Sequence, residues 1–277
     1  MTVAALKVLV SVDMEGIASI VHPAETTPAG GDYARGRALM TEAANAVVAG
    51  VLEAESAAEV LVADSHGPYR NLLPEDLDRR ARLIRGKPRE LGMLAGLQAG
   101  AQVVMFVGYH ARAGAAGAVL AHTMADAILD VRINGRSHGE IGINTLLAGS
   151  YGAPVVLASG DEAACAEFTA LVPGGLTVPV KRGLGQHAAD TLHPREACDR
   201  LRQAAGQAIR RHDEHRPVAA SGPLEVEVDL YQPRTADLAA LIPGIARTGR
   251  AVRFTAENMT AAYGLLQLLA LLTSMGP

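Results

Sequence analysis

The sequence contains no tryptophan, three phenylalanines and six tyrosines, so aromatic residues make up only 3% of its 277 positions. That scarcity argues against aromatic platforms for bases or sugar rings and leaves the core to Ala, Leu, Val and Ile. Positive charge is also short. The 25 Lys and Arg against 29 Asp and Glu leave a net charge of −4, which gives the chain no electrostatic claim on nucleic acid. Only two cysteines occur, Cys165 and Cys198, with no CxxC pair, so neither a disulfide framework nor a thiolate metal site is expected. No uninterrupted apolar run reaches membrane length. The segment from Met1 to Lys7 lacks the pattern of an export signal, so a cytoplasmic protein without a membrane partner is expected. What is abundant is apolar: 49% of residues are hydrophobic and 19% charged, enough for a sizeable core in one large or two modest domains.

Lys7-Val8-Leu9-Val10-Ser11-Val12 reads as a strand buried on both faces, and it stops at Asp13-Met14-Glu15-Gly16. From about Arg35 to Ala54, Leu39, Ala43, Val47 and Val51 recur at four-residue spacing, the pattern of an amphipathic helix. Glu59–Ala63 returns to strand texture and ends at Asp64-Ser65-His66, completing a β-α-β unit. Val103–Val107 is a third such strand, ending at Gly108-Tyr109-His110, after a minor strand at 81–84 and a helix near 91–99. Runs at 119–124 and 128–133, the second followed by Asn134-Gly135, suggest an antiparallel insertion. Further on, helices are expected at 140–150, 162–171, 194–212 and 261–273, and strands at 154–158, 178–181, 224–230 and 251–255. The fold class is α/β, a mainly parallel sheet flanked by helices with a second, smaller α/β subdomain. The division expected is 1–164 for a metal-binding catalytic domain and 165–277 for a C-terminal subdomain serving packing and assembly.

In open parallel sheets ligands bind outside the carboxyl ends of the strands. Three strands here end in Asp13-x-Glu15, Asp64-x-His66 and His110, so three polar tips should converge. Asp13 and Glu15, two apart on extended chain, face the same way, and a carboxylate–imidazole mixture suits Zn²⁺ or a similar divalent ion. Each residue has an ordinary alternative. The two carboxylates could be salt-bridged, His66 could cap a turn, and His110, beside Arg112, could belong to a carboxylate-binding corner. His122, in an apolar run, could be a hydrogen-bonded core histidine, and Glu140 could simply complement a helix dipole.

Four segments in order, Ser11-Val12-Asp13-Met14-Glu15-Gly16, Asp64-Ser65-His66, Gly108-Tyr109-His110-Ala111-Arg112-Ala113 and Gly139-Glu140-Ile141-Gly142-Ile143-Asn144, resemble the zinc-dependent D-aminopeptidase family, peptidase family M55. Tyr33-x-Arg35-Gly36-Arg37, Asn71-Leu72, Gly160-Asp161, Ile242-Pro243-Gly244 and Phe254-x-Ala256 extend the resemblance nearly end to end. It implies two zinc ions per subunit held by Asp13, Glu15, His66, His110 and Glu140, with Asp13 shared. It implies a catalytic role for His122, as proton shuttle, oxyanion stabiliser or nucleophile, although the loop Gly114–Leu120 is about one residue longer than the family pattern. Two Zn²⁺ against three carboxylates leave one net positive charge, suited to one hydroxide, which agrees with hydrolysis by a zinc-activated water. The implied activity is release of N-terminal D-amino acids, D-Ala foremost, from short peptides by a homodecamer of stacked pentameric rings. Two alternatives stand beside it: a related dinuclear amidase or esterase, and a non-catalytic peptide-binding protein.

Overall fold

A computed structural model describes residues 5–274; residues 1–4, where the segment read for an export signal begins, lie outside the described residues. In chain order the elements are β1 (Lys7–Val12), α1 (Pro23–Thr26), α2 (Tyr33–Ala54), β2 (Glu59–Asp64), β3 (Arg82–Ile84), β4 (Val103–Val107), β5 (Ile128–Ile133), β6 (Arg136–Ser137), α3 (Glu140–Ser150) and β7 (Val155–Asp161). There follow α4 (Glu162–Leu171), β8 (Leu176–Gly185), β9 (Ala188–Thr191), α5 (Pro194–Arg210), β10 (Leu224–Leu230), α6 (Pro233–Ala239), β11 (Ala246–Thr248), β12 (Ala251–Ala256) and α7 (Met259–Thr273).

The larger sheet has the order β3-β2-β1-β4-β7-β8-β9. It is parallel throughout except for the β8–β9 hairpin. Because it is covered on both faces, its strands read as continuous apolar runs. Val8, Val10, Val12, Val60 and Val62 pack under α2 and α5 through Met40, Val47, Val51, Leu201 and Ala205. Leu9, Leu61, Val104 and Phe106 face the opposite core, which holds Ile141, Leu147 and Phe168 of α3 and α4. The smaller sheet, β11-β12-β10-β5-β6, is antiparallel. Val226, Val228 and Leu230 point into the core shared with α7, while Arg132 on the other face bonds Asp130, Glu227 and Asp229. That is the alternation expected of a strand with one wet face. The larger sheet continues past residue 165 to Thr191, and the smaller one takes β5 from before it.

Two expected elements are corrected. The helix near 91–99 is a pair of 3₁₀ turns, Gly92–Leu94 and Leu97–Ala99. Gly92, Gly96 and Gly100 have φ of 43°, 127° and 83°, values no α-helix accommodates. The strand at 119–124 is a loop with one isolated bridge, Thr123 to Ala125. Leu120 and Met124 take positive φ of 53° and 61° there, which turns the chain out of any ladder.

Candidate metal centre at the strand ends

The chain builds β1, β2 and β3 outward in one direction, then places β4 on the other side of β1. This reversal opens a crevice between the carboxyl ends of β1 and β4, the place where doubly wound sheets bind ligands. Asp13 follows β1 and His110 follows β4, one on each wall. The walls approach closely because glycine stands where they touch. A Cβ on Gly16 would lie 1.9 Å from the Tyr109 carbonyl oxygen, and one on Gly160 would lie 2.1 Å from the same atom. The Gly16 N–H donates to the Gly108 carbonyl at 2.7 Å, and the Asp13 N–H to that of Val107 at 2.8 Å.

Six side chains meet above this crevice. Asp13, Glu15, His110 and Glu140 are buried. His66 Nδ1 lies 3.2 Å from Asp13 Oδ1 and 2.9 Å from Glu15 Oε2. His110 Nε2 lies 3.6 Å from Asp13 Oδ2 and 3.5 Å from Glu140 Oε1. His122 Nε2 lies 3.7 Å from Glu140 Oε1, and its ring stacks on that of His110 with centroids 4.0 Å apart. Its side chain is 21% exposed, the most open of the six, so it stands at the mouth. Asp13, Glu15 and His66 present donor atoms within 4.8 Å of one another, and so do His110, His122 and Glu140.

Each imidazole is turned by a backbone carbonyl. His66 Nε2 lies 2.9 Å from the Thr26 oxygen, His110 Nδ1 3.0 Å from that of Ala111, and His122 Nδ1 2.9 Å from that of Leu120. A carbonyl can only accept, so those nitrogens carry protons, and His66 Nδ1, His110 Nε2 and His122 Nε2 are the nitrogens left facing the cluster, where a metal would displace any proton they hold.

The electrostatics favour a positive occupant. Burial, then Glu15, pushes Asp13 up to about 7. Burial opposes the ionisation of Glu15, yet His66 holds its carboxyl well below the usual range. Burial likewise opposes charge on His110, but Glu140 and then Asp13 push it up to about 10. His110 Nε2 is buried without a hydrogen bond, and Glu15 Oε2 has only the His66 imidazole at 2.9 Å beside it, so both stand where a cation would satisfy them. Three carboxylates and three oriented imidazoles therefore fit a divalent metal pair of the zinc type by donor chemistry.

Buried carboxylates outside the expected ligand set tie the loops down. Asp64 accepts from the N–H groups of Asn71 and Leu72 and from the Asn71 amide, which also donates to the His66 carbonyl. Asp161 accepts from Val119 N–H, three residues before His122, and caps α4 through Ala164 N–H. Glu167 accepts from the N–H of Arg112 with one oxygen and of Gly139 with the other, joining the loops of His110 and Glu140.

A parallel α/β sheet that gathers carboxylates and imidazoles at its switch point has the build of a metallohydrolase. The family model for D-aminopeptidase, peptidase family M55, matches residues 6–268, and the chain belongs to that family. The D-aminopeptidase of Bacillus subtilis (strain 168) is 34% identical over 260 residues, covering 93% of this chain and 94% of that protein. Among solved structures, the Zn-dependent D-aminopeptidase DppA from Bacillus subtilis, a self-compartmentalizing protease, superposes with a TM-score of 0.94 at 32% identity, covering 98% of this chain and 99% of that one.

Proposed function

We propose that this D-aminopeptidase removes N-terminal D-amino acids, D-alanine foremost, from short peptides at two zinc ions that Asp13, Glu15, His66, His110 and Glu140 would hold. The observation that carries the reading is the convergence of two donor sets, Asp13/Glu15/His66 and His110/His122/Glu140, in one buried cluster. When bound, such a pair supplies Lewis acidity toward the scissile carbonyl and the attacking water, with one net positive charge after the three carboxylates. The chain's own residues do the rest. With their other nitrogens held by the Thr26 and Ala111 carbonyls, His66 would offer Nδ1 and His110 Nε2 to the metals, and Glu140 is oriented by the Met124 N–H at 2.6 Å. His122 takes the water's proton at Nε2 and returns it to the leaving amine, its Nδ1 proton staying on the Leu120 carbonyl. Partial exposure suits this role, since the shuttle must reach both substrate and metals.

Assembly into a homodecamer belongs to the same proposal. It is supported by the self-compartmentalizing relative and by the exposed Leu184, Tyr231 and Leu241. Light scattering tests it; a monomer refutes it. A cytoplasmic location is part of the same proposal; among the described residues no helix is long and apolar enough to cross a membrane.

The test of function is amino-acid release from matched D-Ala and L-Ala dipeptides by zinc-reconstituted protein, beside His122→Ala. Release from the D-peptide alone, abolished in a variant that keeps its zinc, is the expected result. Release from neither peptide, with zinc present, overturns the substrate assignment. Loss of zinc together with activity makes His122 a ligand instead.

A further inference from the structure

Beneath the Glu15 side of the centre lies a buried lysine with no catalytic duty assigned to it. Lys181 sits on β8, paired in register with Asp161 of β7, and is 4% exposed. Its Nζ donates to three backbone carbonyls, those of Glu15 at 2.5 Å, Ile17 at 3.0 Å and Ile20 at 2.5 Å. No carboxylate lies within ion-pair distance of it among the described residues. An ammonium has three donors and no acceptor, so the three carbonyls satisfy it completely.

Those carbonyls belong to one segment. It begins at Glu15 itself and folds back over the sheet through Ser19, whose φ of 70° is left-handed. Carbonyls of a tight turn that converge on one point repel each other unless a cation sits at the centre. Few other contacts fix this segment from β8 and β9: the Ser19 N–H donates to Thr191 Oγ1 at 2.9 Å. On the opposite side Gly16 is pressed against the Tyr109 carbonyl. The Glu15 backbone is thus held between β4 and Lys181, and its carboxylate, whose Oε2 lies 2.9 Å from His66 Nδ1, is aimed at the cluster from that support.

We propose that Lys181 is a positioning residue for the Asp13/Glu15/His66 half of the metal centre: by gathering the carbonyls of Glu15, Ile17 and Ile20 it sets where the Glu15 carboxylate meets its ion. The inference rests on the metal-centre reading above. A lysine serving folding alone would leave metal affinity untouched once the protein is folded. A positioning lysine acts on one half of the centre and spares the other.

The experiment is zinc titration by calorimetry of the chelator-stripped full chain, with far-ultraviolet circular dichroism to confirm folding. His66→Ala and His110→Ala mark the signatures of losing each half. Lys181→Met removes the charge at similar volume. Lys181→Arg keeps the charge but replaces three converging donors with a planar fork, which cannot meet three carbonyls at one point. Each folded variant is expected to bind zinc about 10- to 100-fold more weakly at the half that His66→Ala abolishes, the range typical of outer-shell partners, with the other half unchanged. If Lys181→Met does not fold, Lys181→Arg decides. Wild-type affinity at both halves in a folded variant overturns the proposal alone, as does equal weakening of both. A wild-type chain that binds no zinc overturns the metal-centre reading and this proposal with it, and is distinguished by needing no variant.

Discussion

Replacing Gly16 with alanine should disable the centre through the backbone, without touching any donor atom. A Cβ there would stand 1.9 Å from the Tyr109 carbonyl oxygen, 2.5 Å from the Gly108 carbonyl carbon and 2.7 Å from its oxygen. All three are main-chain atoms, so no rotamer change relieves the clash. Restoring even a tight contact of about 3 Å requires the segment after β1 and the tip of β4 to part by about 1 Å. Glu15 is carried on one side of that contact and His110 on the other. A displacement of that size costs about 100-fold in rate when it separates groups that must act together. The overpacking itself costs about 1–3 kcal/mol, so the variant should still fold. Gly31→Ala is the control, because nothing lies within 4 Å of a Cβ at that position. The assay is kcat/KM for D-alanyl dipeptide hydrolysis at saturating zinc, with urea denaturation for stability. A Gly16→Ala variant that folds and keeps activity within threefold of wild type would refute the claim that this close approach sets the geometry.

Other outcomes follow from the same contacts. Glu167→Ala leaves the Arg112 and Gly139 N–H groups without their acceptor, and should lower stability by about 1–3 kcal/mol in urea denaturation. An unchanged midpoint and slope would show that water replaces the carboxylate. Asp161→Ala removes the α4 cap, worth about 0.5–2 kcal/mol, and frees Val119 N–H. The activity lost should exceed that of Glu162→Ala, a neighbouring change with no such bond, and equal activities would argue against a hold on the His122 loop. Free zinc about 1,000-fold above its Kd should add about 4 kcal/mol to unfolding, read as a rise in Tm that EDTA reverses; no shift would count against a native metal centre. Burial, then Arg136, holds His138 down at about 4 against an ordinary 6.5. The unfolded chain therefore binds a proton between those values that the folded one refuses, so stability falls as the pH drops from about 6.5 to 4. His138→Gln should flatten that fall in Tm, and an unaltered slope would assign the acid limb to other groups.

The parallel core was legible because a doubly covered sheet demands apolar, β-branched strands, and Lys7–Val12, Glu59–Asp64 and Val103–Val107 have that texture up to their polar tips. The convergence of Asp13, His66 and His110 followed from strand-end geometry. His122 and Glu140 entered through family resemblance, because nothing in their own segments separates them from a core histidine or a helix-start carboxylate. The loop at 119–124 misled because hydrophobic texture is blind to backbone sign, and Leu120 and Met124 supply the left-handed turns. The short β9 and α6 escaped notice since four and seven residues carry too little periodicity. Lys181 and Glu167 were beyond pattern reading for another reason. They bond main-chain groups 28 to 166 positions away, and a main-chain acceptor leaves no mark on residue identity.

Each imidazole of the centre is leashed to a main-chain oxygen, two of them within their own loops. Their rings cannot flip without surrendering that bond, and the face-to-face contact of His110 with His122 blocks independent rotation of either. The rotational freedom of these side chains is thus extinguished during folding, before any peptide arrives. A substrate entering the crevice meets a finished template, so its binding energy is available for discriminating the handedness of its first residue instead of for organising the enzyme.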